Sequence, residues 1–250
     1  MTNAEVIIAS TPSDAEAAEN IRNHHAGLVG HLCALTDGML SAAERGAGFD
    51  AARAATADFL TNELLPHATA EEARLYPAAA RTDRARPLIE SMIAAHRTIG
   101  ALAERIRTES SPVRAAAAGD ALRVLFEAHV LDENDRVLPI VAADPLVSLA
   151  AIADDELLGR HPHAAAGPTH GDDRDREEPV LDVRAVPHAI RHATVFGAFD
   201  AIPAGAAMVL VAPHDPVPLL RQLHDRTSGR IAVEYLESGP QAWRLRLTRL

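Results

Sequence analysis

A chain of 250 residues with a formal net charge of -11 is long enough for one or two packed domains and is poorly suited to nucleic acid or to an anionic membrane surface. Its single cysteine, Cys33, excludes an intrachain disulfide, and the complete lack of lysine excludes Schiff-base chemistry and a lysine-dependent phosphate loop. The start has neither a basic region nor a long apolar region of the secretory kind, and no apolar run approaches the roughly 18 residues of a membrane-spanning helix, so a cytoplasmic protein is expected.

In chain order, residues 1–13 read as a short lead. An Ala-rich helix follows from Asp14 to about Glu44, closed by Gly46-Ala47-Gly48. A second helix is predicted from Asp50 to about Ala80, bent at Pro66. The third runs from Pro87, a good first-turn residue, to about Glu109. Ser110-Ser111-Pro112 breaks the chain before a fourth helix from Val113 to Ala142, and a short fifth is expected after Pro145. These lengths and connections predict an antiparallel, up-down-up-down four-helix bundle.

The apolar stripes of all four helices are interrupted by histidine. At 3.6-residue spacing they read Ile21-His25-Leu28-Leu32, Leu60-Leu64-His67-Glu71-Leu75, Ile89-Met92-His96-Ile99 and Leu122-Phe126-His129-Glu133-Val137. Helices two and four are repeats of one another: His67-x-x-x-Glu71 and His129-x-x-x-Glu133 are each followed by an apolar pair and a proline, Leu75-Tyr76-Pro77 and Val137-Leu138-Pro139. Residues four apart stack on one helix face. Counted from the turns at about 1.5 Å per residue, the six polar groups fall on one level of the bundle.

Two carboxylates in an apolar layer would cost several kcal/mol each without partners, and a bound cation removes that cost. Imidazole and carboxylate donors without thiolate point to iron, manganese or zinc. Six donors exceed what a structural zinc takes, and suit two irons roughly 3.5–4 Å apart. The simpler reading makes Glu71 and Glu133 partners of Arg74 and Arg136 in surface ion pairs, with the histidines as ordinary core residues. His24 competes with His25 for the first-helix position, and the unbroken stripe through Leu28 and Leu32 favours His25. His24 and His31 otherwise read as boundary residues, and Glu72 as a solvated rim residue.

Residues 14–142 resemble the hemerythrin-like, HHE cation-binding family, in which helices one to four carry His, His-x-x-x-Glu, His and His-x-x-x-Glu. The segments LLPHATAEEARLYP and AHVLDENDRVLP carry the resemblance. It implies His25, His67, Glu71, His96, His129 and Glu133 as the metal ligands and two non-haem iron ions as the cofactor. Where the classical oxygen carriers place a second histidine on helix three, this chain has Gly100. The function expected is binding or sensing of a small molecule such as oxygen or nitric oxide. A di-iron oxidoreductase of peroxidase-like or nitric-oxide-reducing type, or a protein donating iron for repair of iron centres, is the alternative. A metal-free helical interaction module is a third reading. The expected partners are a small diatomic molecule and a redox partner protein, with no nucleic acid and no membrane.

The bundle is expected to span 14–158. A polar linker over 159–178 carries His161, His163 and His170, which read as solvated. Residues 179–250 then read as a small two-layer α/β domain of order βαβαββ: strands at 180–184, 207–212, 231–235 and 242–247, helices at 187–199 and 216–226. This part resembles a domain family that often accompanies hemerythrin-like domains and is related to sulfur-carrier (TusA-like) folds. The Cys-Pro of those carriers is missing, so sulfur transfer is not expected. Arg191, His192, His214 and Asp215 match the family's polar positions, and a small-anion site at the His214-Asp215-Pro216 helix start is weighed against a capped turn. His188 and His192 lie one turn apart but lack a third ligand.

Overall fold

The computed structural model describes residues 9–153, 157–158, 178–184, 186 and 191–250. The linker histidines His161, His163 and His170, and also His188, lie outside the described residues, as does nearly all of the 159–178 linker.

Helix α1 (Pro12–Arg45) begins at Thr11, whose side chain accepts the Asp14 backbone N–H, and has proline in its first turn. It ends at Gly46, whose φ of 68° suits a residue without Cβ. Helix α2 covers 49–79. Helix α3 (Arg86–Thr108) starts on Pro87, α4 covers 112–143 and starts on Pro112, and the short α5 (Leu149–Ile152) is capped by Ser148. By length and composition α1 could cross a membrane, which the sequence reading did not anticipate; half of that window is buried inside the protein.

Helices α2 and α4 widen just before their prolines. A π-helical turn occupies Leu60–Leu64, Glu71–Leu75 and Glu133–Val137, in each case two residues before Pro66, Pro77 and Pro139. A proline ring in an α-helix collides with the carbonyl one turn back and leaves it without a donor. In each π turn the residue before the proline donates instead to the carbonyl five back: Leu65 to Leu60, Tyr76 to Glu71, Leu138 to Glu133. The bend expected at Pro66 is therefore one of three such bulges, and two of them open on the glutamates of the repeat.

The C-terminal part contains β1 (Val180–Asp182), α6 (Arg191–Ala201), β2 (Ala207–Ala212), α7 (Val217–Arg226), β3 (Ile231–Ser238) and β4 (Trp243–Arg249). The sheet order is β1-β2-β4-β3, with β1 parallel to β2 and the other pairs antiparallel. Leu181, Leu210, Leu245 and Leu247 share a core with Val195 and Phe199 of α6 and Leu219 and Leu223 of α7. That core is continuous with Leu28, Leu32 and Phe126 of the bundle.

The seam between the two parts is a glycine crossing of α1 and α6. A Cβ on Gly30 would overlap the Thr194 carbonyl oxygen, and one on Gly197 would overlap that of Gly27. Both obstacles are backbone and cannot rotate away. Gly30→Ala is therefore expected to lower stability by about 1–3 kcal/mol in denaturant unfolding. Gly38→Ala, in the same helix with nothing within 4 Å of its Cβ, serves as the control and is expected to gain up to about 1 kcal/mol from helix propensity.

Candidate metal centre

The six predicted side chains meet in the middle of the bundle, and all are buried. α1 contributes His25, α2 His67 and Glu71, α3 His96, and α4 His129 and Glu133. Five of them form two groups of donor atoms close enough for one cation each: His25, His67 and Glu71, and Glu71, His96 and His129. Glu71 belongs to both. Its Oε1 lies 3.0 Å from His25 Nε2 and 2.9 Å from His67 Nε2, and its Oε2 lies 3.3 Å from His96 Nε2. Glu133 Oε2 spans the other side, 3.8 Å from His25 Nε2 and 3.7 Å from His129 Nε2.

The outer nitrogens decide what the inner ones can do. His25 Nδ1 donates to Asn134 Oδ1 at 2.8 Å, His67 Nδ1 to the Leu157 carbonyl at 3.0 Å, and His96 Nδ1 to Glu72 Oε1 at 2.9 Å. Amide, carbonyl and carboxylate oxygens only accept, so these three Nδ1 atoms carry the protons. In these three imidazoles, when neutral, the Nε2 lone pair then points inward, at a carboxylate oxygen or another imidazole. His96 Nε2 and His129 Nε2 face each other at 3.0 Å. The lone pairs of His25 and His67 lie against Glu71 Oε1 at 3.0 and 2.9 Å, and acceptor against acceptor at such distances calls for extra protons or for a cation between them. Among the described residues the Tyr76 hydroxyl is the one donor that eases the charge of Glu133, too little for a fully buried carboxylate, which fits a site built for a cation.

The electrostatics divide the two glutamates. Burial pushes the Glu71 carboxyl up, but His67, His25 and His96 outweigh it and hold it well below the usual carboxylate range. Burial and the Glu71 charge push Glu133 well above that range. Burial also lowers His129, to about 4, against the pull of Glu71.

Several sequence expectations change here. The ion pairs with Arg74 and Arg136 do not describe the glutamates: Glu71 and Glu133 are 1 % and 0 % exposed, and Arg136 pairs with Asp132 at 3.2 Å. His25 enters the centre, whereas His24 sets its ring edge-on against His67 at 4.8 Å between centroids. Glu72 is not a free rim residue; although its side chain is 40 % exposed, it holds His96. Tyr76, read as one of an apolar pair, places its hydroxyl 3.2 Å from His96 Nε2 in a buried position. Asn134 follows Glu133 as Glu72 follows Glu71, so the repeat itself could have revealed it. Nothing in the sequence marks the Leu157 carbonyl.

In the C-terminal part, Arg191 donates to the Val186 carbonyl, His192 to Gln222 Oε1 at 2.9 Å, and Asp215 accepts from the Tyr235 hydroxyl at 3.0 Å. His214 is exposed at the approach to α7. Three of the four candidate anion-site residues are thus engaged within the fold.

Comparison with known families adds two matches. The hemerythrin HHE cation binding domain matches residues 16–141, and a family described as an uncharacterized conserved protein (DUF2249) matches residues 180–249. No curated protein and no solved structure matches the chain.

Proposed function

The chain belongs to the hemerythrin HHE cation-binding domain family, and from that premise we propose that its bundle holds two non-haem iron ions and uses them to bind or sense a small molecule such as oxygen or nitric oxide. The observation that carries this reading is Glu71, one carboxylate shared by two pairs of histidines whose Nε2 atoms all face inward. His25 and His67 would hold one ion, His96 and His129 the other, with Glu71 and Glu133 between them. A donor set of nitrogen and oxygen without sulfur suits iron. Bound iron would supply a redox-active centre able to take a small ligand.

The protein's own contribution is orientation and exclusion. Asn134, Leu157 and Glu72 fix three imidazoles by their outer nitrogens. Leu64, Leu75, Ile99 and Leu122, all fully buried, belong to the packed interior that keeps water from the layer. A cleft of about 440 Å³ is lined by His24, His31, Glu63, Gly197 and Arg226, and the His24 ring packs edge-on against His67. The Tyr76 hydroxyl, buried against His96 Nε2, is a proton donor within the layer and favours a second reading, a di-iron oxidoreductase.

Anaerobic reconstitution with ferrous iron tests the proposal. About two irons per chain are expected by elemental analysis, with an optical spectrum that changes on admitting oxygen. Fewer than one iron per chain would overturn it. Slow autoxidation without turnover supports binding or sensing; repeated turnover with peroxide or nitric oxide supports the oxidoreductase.

A further inference from the structure

The internal repeat extends one residue beyond the ligands. In each of the two ligand-bearing π turns the first residue is the glutamate that enters the centre, and the next reaches an imidazole on a neighbouring helix from its outer side. After Glu71 comes Glu72, which accepts from His96 Nδ1 at 2.9 Å. After Glu133 comes Asn134, which accepts from His25 Nδ1 at 2.8 Å. The two residues occupy equivalent places and make equivalent bonds. One is a carboxylate and the other an uncharged amide.

We propose that Glu72 and Asn134 are paired positioning residues that make the two metal positions unequal, with the His96–His129 position binding a divalent cation more tightly than the His25–His67 position. The inference rests on the two-metal reading above. A carboxylate accepting an imidazole N–H polarises the ring and strengthens its other nitrogen as a donor, whereas an amide oxygen does so less. Glu72 also brings a negative charge to one side of the layer. The remaining outer bonds oppose the difference more weakly than Glu72 creates it, because the partner of His67 Nδ1 is a neutral carbonyl, while His129 Nδ1 has no hydrogen-bond partner among the described residues. Consecutive residues at the start of this π turn address both nitrogens of His96, with Glu71 Oε2 3.3 Å from Nε2 and Glu72 on Nδ1.

The test uses the full-length chain, stripped of metal and titrated anaerobically with cobalt(II), followed by optical spectra and chelator competition. Two unequal stepwise constants are expected. Glu72→Gln, which keeps a side-chain oxygen to accept the bond, should weaken the tighter step by about tenfold and leave the looser one unchanged. Asn134→Asp should tighten the looser step by a similar factor and bring the two together. Hyperfine-shifted imidazole N–H signals of the cobalt form give a second readout: the His96 signal should move in Glu72→Gln, and the His67 signal should not. Equal wild-type constants, or equal weakening of both steps in Glu72→Gln, overturn the inequality while leaving the two-metal reading standing. A wild-type chain that takes up fewer than two cobalt ions overturns both.

Discussion

Glu71→Ala is expected to reduce iron uptake from about two ions per chain to well below one, while His25→Ala and His129→Ala each keep about one. The reason is geometric. Glu71 is the member common to both donor groups, whereas each histidine serves one. The same substitution should destabilise the metal-free chain by about 3 kcal/mol, because His25, His67 and His96 lose the buried carboxylate that faces them. Elemental analysis after anaerobic reconstitution checks the first outcome and denaturant unfolding of the stripped protein the second. Retention of two irons by Glu71→Ala would mean that the shared carboxylate is not what joins the two positions.

Glu133→Gln should change sign with metal. In the metal-free chain Glu133 is fully buried, and burial together with the Glu71 charge holds its carboxyl well above the ordinary range, opposed only by the Tyr76 hydroxyl. An ionisable group whose folded value exceeds its unfolded one contributes stability at acid pH that is lost as pH rises through the folded value. At neutral pH the wild-type chain therefore carries that penalty, and the amide removes it, a gain of about 1–3 kcal/mol. In the loaded chain a glutamine is a poorer ligand, so the metal-linked stabilisation, about 4 kcal/mol at a thousandfold excess over the dissociation constant, should shrink. Paired unfolding curves with and without metal are the measurement. A variant that is less stable than wild type in both forms would show that Glu133 has a structural partner instead of an ionic one.

The two variants separate roles that look identical in sequence. Both glutamates sit four residues after a histidine, and both open a π turn before a proline. What distinguishes them is the number of imidazoles that each faces, and with it the opposite direction of their titration.

The six inward-facing side chains and the order of helices were legible because helical spacing is a property of the chain alone. One donor per stripe, repeated at a fixed offset, needs no tertiary information to be seen. The sheet strands were legible for the same reason, from alternation and turn residues. The π turns were half legible: the prolines were plain, but where the backbone widens to accommodate each one depends on the packing around it. The outer bonds of the histidines were hidden. His67 is held by a backbone carbonyl at Leu157, an atom every residue possesses, and His25 is held by Asn134 from another helix. The α1–α6 crossing was hidden too, since Gly30 and Gly197 stand out only once their helices touch. Local periodicity by itself determined which side chains share the inward faces of the helices. The tertiary structure alone decided which outer partner holds each ring and how closely the two parts pack, because both depend on contacts between segments far apart in the chain.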